Sequence, residues 1–290
     1  MSLVHAPVRL GQATWDFSRT YVFGVVNVTP DSFSDGGRFF STDAAVAHGW
    51  DLIEQGADAL DIGGESTRPG AEPVPAEEES RRVLPVVRQL AGRGSVPISI
   101  DTYKAGVARA AVEAGASMIN DISGLQLDPQ MATVAAEAGV PLIIGHLRGT
   151  PKTMRDNIRF VDVVAEVAEE LKRSVRTAVA AGVSAERIWV DPCIGFGKTA
   201  AQSLALLRST GRLREAVGYP LMVGPSRKSF IGAVTGEGVE ARQLGTCAAI
   251  AAVVVAGADA VRLHDVGLLL PAVRVADAIR RQDPAEPVAR

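Results

Sequence analysis

The chain has 290 residues, 47% of them hydrophobic, a net charge of −3 and two cysteines, Cys193 and Cys247. That is enough apolar content for one large core, and a single domain over 1–290 is expected. Scattered Lys and Arg on a net negative chain argue against a nucleic-acid surface. The longest apolar stretch, residues 247–258, falls far short of the roughly 20 residues a membrane span needs. The cysteines stand in no metal-ligand spacing, and no basic-then-apolar leader opens the chain, so a reduced, cytoplasmic setting is expected.

Residues 1–20 are expected to form a hairpin closing the bottom of a barrel. Eight short apolar runs follow, at 21–27, 57–61, 97–101, 117–121, 140–146, 188–191, 220–226 and 260–264. Each has the length of a buried parallel strand, and helical periodicity follows each. The short phrase at Gly56, Gly115, Gly139, Gly182 and Gly257 precedes the next run each time, or, at Gly182, lies a few residues before it. Glycine there supplies a left-handed helix C-cap and a tight turn into the strand. Long loops at 29–41, 65–74 and 147–159 follow the runs. Tight turns at one end and long loops at the other predict a (β/α)₈ TIM barrel. An open doubly wound sheet competes, but the first run lacks a dinucleotide-type Gly-rich turn. Residues 282–290, with two prolines, read as a frayed tail.

In a parallel barrel all strand C-termini meet at one end. The polar residues that stop the runs, Asn27, Asp61, Asp101, Asn120 with Asp121, His146, Asp191, Ser226, and Arg262 with His264, would therefore share one small floor. In chain order, Asn27 precedes a polar loop around Phe33, which reads as a solvated turn or as a closing lid. Asn27 itself could coordinate an oxygen-loving cation. Gly63 and Gly64 open a loop through Thr67, Arg68 and Pro69, in which Arg68 could pair with a carboxylate or phosphate. Asp101, Asn120 and Asp191 could cap helices, or together read a planar heterocycle with several N–H donors. Phe196 and Lys198 lie in a Gly-rich loop after Asp191. Ser226-Arg227-Lys228-Ser229 runs into a helix start that favours an anion. Alternation puts Arg262 and His264 on one face, which beside Asn27 would make a diphosphate site.

Taken together, these motifs resemble the dihydropteroate synthase family, in the family's order from about residue 22 to 266. The resemblance implies a TIM barrel and a folate-pathway transferase. It would join a dihydropterin-methyl diphosphate to 4-aminobenzoate, with diphosphate leaving first to give a pterin cation. It further implies that Asp101, Asn120, Asp191 and Lys228 hold the pterin, and that Asn27, Arg262 and His264 hold the diphosphate. Asn27 would bind a Mg²⁺ riding on that diphosphate. Thr67, Arg68, Pro69, Phe196 and Ser229 would shape the aminobenzoate site. Asp101, Asp191, Lys228 and Arg262 are the catalytic candidates, and a homodimer through the later helices is implied.

Two positions depart from the family pattern. Gly145 stands where a larger apolar residue, often methionine, backs the pterin, and is expected to leave a gap. Cys193 stands where glycine is common. A pterin-dependent methyltransferase domain and a catalytically silent pterin-binding paralogue are the rival readings. The first has no use for Thr67-Arg68-Pro69 or for 226–229, and intact Asn27, Arg68, Lys228 and Arg262 argue against the second.

Overall fold

The computed structural model describes residues 5–29, 42–94, 96–156 and 158–281. The expected loop around Phe33 and the expected tail lie outside them.

A two-stranded antiparallel hairpin, β1 (Val8–Leu10) and β2 (Ala13–Trp15), precedes the main sheet. The sheet strands are β3 (Tyr21–Asn27), β4 (Ala59–Gly63), β5 (Ile98–Asp101), β6 (Met118–Asp121), β7 (Leu142–Gly145), β8 (Ile188–Asp191), β9 (Met222–Val223) and β10 (Ala260–Leu263). All pair in parallel in the order β8-β7-β6-β5-β4-β3-β10-β9. A parallel bridge between Val190 and Leu221, with Val190 N–H donating to Pro220 O at 2.9 Å, joins the two ends. The sheet is thus the wall of a barrel, and every expected run contributes one strand.

Helices clothe the outside: α1 (Thr42–Glu54), α2 (Ala76–Ala91), α3 (Ala105–Glu113), α4 (Met131–Ala138), α5 (Val163–Ala180), α6 (Ala200–Arg208), α7 (Thr210–Val217), α8 (Ser229–Thr235), α9 (Gln243–Val255) and α10 (Val266–Arg281). The five glycines of the repeated phrase all take positive φ, from 64° to 116°. At Gly115 a Cβ would also meet the Ala91 Cβ at 2.6 Å, so only glycine fits that turn.

The core has two layers of different make-up. Between strands and helices lies an aliphatic shell that includes Val26, Leu60, Ile100, Ile119, Ile144 and Val190. Inside the lower barrel, alternate residues of the same strands point inward: Phe23, Ala59, Met118, Ile143, Trp189, Met222 and Ala260. The hairpin adds Val8, Leu10 and Trp15 from below, with Trp15 stacked on Tyr21 at 4.0 Å and edge-on to Trp189 at 5.7 Å. It closes the barrel bottom as expected, and its aromatic rings shed the water that an open barrel end would admit.

Among the described residues no helix is long and apolar enough to cross a membrane.

Candidate active site

Side chains alternate along a strand, so two residues beyond each lower-barrel side chain the next inward position is reached. Beyond Ala59, Met118, Trp189 and Ala260 these are Asp61, Asn120, Asp191 and Arg262. An apolar layer is followed directly by a charged one. Gly145 and Gly224 take the same inward register on β7 and just past β9.

The charged layer is internally bonded. Arg262 Nε donates to Asp61 Oδ2 at 2.5 Å and Nη2 to Asp101 Oδ2 at 2.7 Å. Asn120 Nδ2 donates to the same Asp61 oxygen at 3.0 Å. Asp191 Oδ1 accepts the Cys193 N–H at 2.7 Å, which leaves Oδ2 for a ligand. Asp61 Oδ1 and Asp101 Oδ1 are buried without a partner among the described residues.

This environment shifts the charges. Burial pushes the Asp101 carboxyl up to about 7; the Arg262 guanidinium opposes this and Asp61 adds to it. Burial raises Asp191 to about 6. Burial, with the nearby Arg262 cation, brings the Lys228 ammonium down to about 8. The site therefore holds carboxyls and an amine that change charge near neutrality, as sites of proton and cation chemistry commonly do.

Lys228 is the N-cap of α8, and its Nζ lies 4.0 Å from the centre of the Phe196 ring. That ring is placed by Lys198, which is buried and donates to the carbonyls of Phe196, His146 and Cys193 at 2.9, 3.1 and 3.3 Å. Arg227, which sequence placed beside the anion, is instead turned onto Asp265, with Nε 2.9 Å from Oδ2. Ser229 is exposed at the first turn of α8.

His264 lies one residue past β10. Burial, with the Arg262 cation, holds its imidazole down at about 3, so it is neutral. Its backbone N–H donates to Ser226 Oγ at 3.3 Å, and its Nδ1 shares a hydrogen bond with the same hydroxyl at 3.0 Å. Arg262 is thus brought to the carboxylates Asp61 and Asp101, while His264 is held by Ser226.

Thr67 is half-buried, and Arg68 and Pro69 are exposed, in the loop between β4 and α2. The base of that loop is pinned. The Glu65 carboxylate accepts from the Tyr103 hydroxyl at 2.5 Å, from Lys104 Nζ and from Val74 N–H at 3.2 Å. Lys104 also donates to buried Glu79 at 2.5 Å. The loop reaches over to the β7 loop, where Gly70 N–H donates to Pro151 O at 3.1 Å.

Two further expectations need correction. The apolar run at 57–61 does not stop at Asp61: β4 continues to Gly63, and Asp61 is fully buried within it. Gly145 leaves no gap. A Cβ there would meet Ile122 Cα at 2.6 Å and Cys193 Sγ at 2.8 Å. The two departures from the family pattern are one packing solution, with the Cys193 sulfur filling space beside Gly145. Cys193 also has φ 48°, a left-handed conformation that explains why glycine suits that position. The residues that sequence left without a role are Asp61, Glu65 and the third donor contact of Lys198. The signal for Asp61 was its two-residue offset from Ala59.

Among the described residues no group of three or more His, Cys, Asp or Glu side chains is placed to hold a metal. Asn27 ends β3 opposite Gly63, and its amide oxygen could serve as one ligand of a cation. One such donor fits a Mg²⁺ whose other ligands are phosphate oxygens and water.

A family model described as pterin binding enzyme matches residues 23–264. The dihydropteroate synthase of Synechocystis sp. is 45% identical over 277 residues, covering 95% of this chain and 96% of that one. The structure of Xanthomonas albilineans dihydropteroate synthase with 4-aminobenzoic acid superposes with a TM-score of 0.88 at 44% identity, covering 95% and 98% of the two chains. The same enzyme in complex with 7,8-dihydropteroate gives 0.85 at 41% identity, covering 94% and 98%. With an eight-stranded barrel, a charged layer at its C-terminal end and this similarity over nearly its whole length, the chain belongs to the dihydropteroate synthase family of transferases.

Proposed function

We propose that the barrel mouth condenses a 7,8-dihydropterin-6-methyl diphosphate with 4-aminobenzoate, giving 7,8-dihydropteroate and diphosphate. The observation that supports this reading above all is the convergence of Asn120, Asp191, Asp101, Lys228 and Arg262 above an apolar barrel floor. Asn120 and Asp191 present acceptors to the N–H donors of the pterin edge, and Lys228 presents a donor to its acceptor atoms. The methylene–oxygen bond breaks with its electron pair leaving on diphosphate. Asp101 and Asp191 stabilise the positive charge left on the pterin. Arg262, neutral His264 and Asn27 hold the departing diphosphate. A Mg²⁺ on Asn27 and the phosphates would neutralise part of that charge. The arylamine nitrogen, placed by Thr67, Arg68, Pro69, Phe196 and Ser229, then bonds to the methylene carbon and releases its proton.

The test is diphosphate release by the purified protein with and without 4-aminobenzoate. Release that requires the arylamine supports the synthase. Pterin binding without release would favour a silent paralogue, and release without dihydropteroate formation would contradict the reading.

Self-association is part of the proposal. The α9 and α10 surface exposes Val255, Val275 and Ile279 around an apolar groove of about 500 Å³. A homodimer through this face would bury it. Val275→Glu should then sediment as a monomer where the wild type sediments as a dimer.

A further inference from the structure

Asp61 is fully buried within β4. Its Oδ2 receives two donors, Arg262 Nε and Asn120 Nδ2. A carboxylate beside a guanidinium accepts hydrogen bonds and does not donate them, so the half of the Asn120 amide that faces it must be the NH₂. A primary amide has one donor half and one acceptor half. Fixing the nitrogen on Asp61 turns Asn120 Oδ1 the other way. That oxygen has no hydrogen-bond partner among the described residues, yet it is not among the sealed, unpartnered atoms, which include Asp61 Oδ1, Asp101 Oδ1 and Ser99 Oγ. It therefore opens toward the mouth, in the same layer as Asp191.

We propose that Asp61 is a positioning residue that fixes Asn120 as a hydrogen-bond acceptor, and so makes the site select ring edges bearing N–H donors over edges bearing a carbonyl. The inference rests on the pterin reading above. A 2-amino ring offers N–H groups to Asn120 Oδ1 and Asp191. A 2-oxo ring keeps its N3–H but sets a carbonyl lone pair where the amino donor stood, and a site built on buried hydrogen bonds rejects such a mismatch strongly. Without Asp61, nothing holds the Asn120 nitrogen back, and the amide can turn to donate to the oxo group.

The experiment is calorimetric titration of 6-hydroxymethylpterin and of its 2-oxo counterpart, 6-hydroxymethyllumazine, into the wild type, Asp61→Ala and Asp61→Asn. The wild type should prefer the pterin by about a hundredfold or more. Asp61→Ala should narrow that ratio at least about tenfold. Asp61→Asn can set its amide oxygen where Oδ2 sits, so it should restore the ratio to within about threefold of the wild type. Loss of a structural support would weaken both ligands together and leave the ratio in place. An unchanged ratio in Asp61→Ala overturns the proposal. So does a ratio that stays low in Asp61→Asn, because negative charge rather than acceptor geometry would then be what matters. If Asp61→Ala does not fold, Asp61→Ser takes its place with the same expected ratio. A wild type that binds neither ring would overturn the functional reading itself, and this inference with it.

Discussion

The lower and upper halves of the barrel interior are made by the same strands, two residues apart. Below, Phe23, Met118, Ile143 and Trp189 meet the hairpin's Trp15 in a dry aromatic plug. Above, on the inward face of β4, β6, β8 and β10, Asp61 binds Asn120 and Arg262, with Asp191 in the same layer. The lower half gains stability from apolar burial, while the upper half holds carboxyls that burial pushes toward neutrality. The contrast separates holding the fold from holding a ligand, and each half can be broken without the other.

The largest effect should come from the lower half. Trp189 is fully buried, and Trp189→Ala should lower stability by about 3–5 kcal/mol. Chemical denaturation measures this directly, and the pterin affinity of the remaining folded protein should be little changed.

Gly145 lies where the halves meet. Gly145→Ala should cost about 1–3 kcal/mol, because its Cβ would meet Ile122 backbone and the Cys193 sulfur. Denaturation of Gly145→Ala with and without Cys193→Gly sharpens the point. Removing the sulfur should recover only part of the loss, since the Ile122 backbone stays in place. A Gly145→Ala variant as stable as the wild type would show that the site has room after all.

In the upper half the carboxyls hold protons to about pH 7 at Asp101 and about pH 6 at Asp191, whereas unfolded Asp loses its proton near pH 4. Their contribution thus favours the fold below about pH 4 and fades as pH rises through 6 to 7. The ionised form that accepts ligand N–H groups gains over the same interval. Pterin affinity should therefore be about tenfold weaker at pH 5 than at pH 7, and Asp191→Asn should flatten that profile. A wild-type affinity independent of pH would mean that these carboxyls do not face the ligand.

The smallest effect on stability belongs to the exposed tip of the β4–α2 loop. Arg68→Ala should stay within about 0.5 kcal/mol of the wild type. It should raise the KM for 4-aminobenzoate several-fold while leaving pterin affinity unchanged. Equal losses for both substrates would place Arg68 elsewhere.

Much of this architecture is legible in the sequence because buried parallel strands are short apolar runs and the connecting glycines take left-handed turns. Gly56, Gly115, Gly139, Gly182 and Gly257 all do so. The polar residues at strand ends were legible for the same reason. Asp61 was legible as one of them but not as a charge carried inside a strand, because reading a run as ending at its first charge hides what the strand carries onward. Its role appears only when the two-residue alternation from Ala59 is followed across to Arg262 and Asn120. Gly145 and Cys193 could not be read singly, because each makes sense only as the other's neighbour across β7 and the loop after β8. Arg227 looked like an anion ligand by its place in the chain, but its partner Asp265 lies 38 residues away.

The division between the two halves meets its most direct test in Asp191→Asn, with pterin titration and thermal unfolding run on the same preparation. Burial disfavours the Asp191 charge, so the neutral amide should not lower the melting temperature. Its NH₂ would face a ligand donor, and an unsatisfied buried group of that kind costs about 1–3 kcal/mol, so pterin affinity should fall at least several-fold. A variant that melts well below the wild type yet binds pterin equally well would contradict the account.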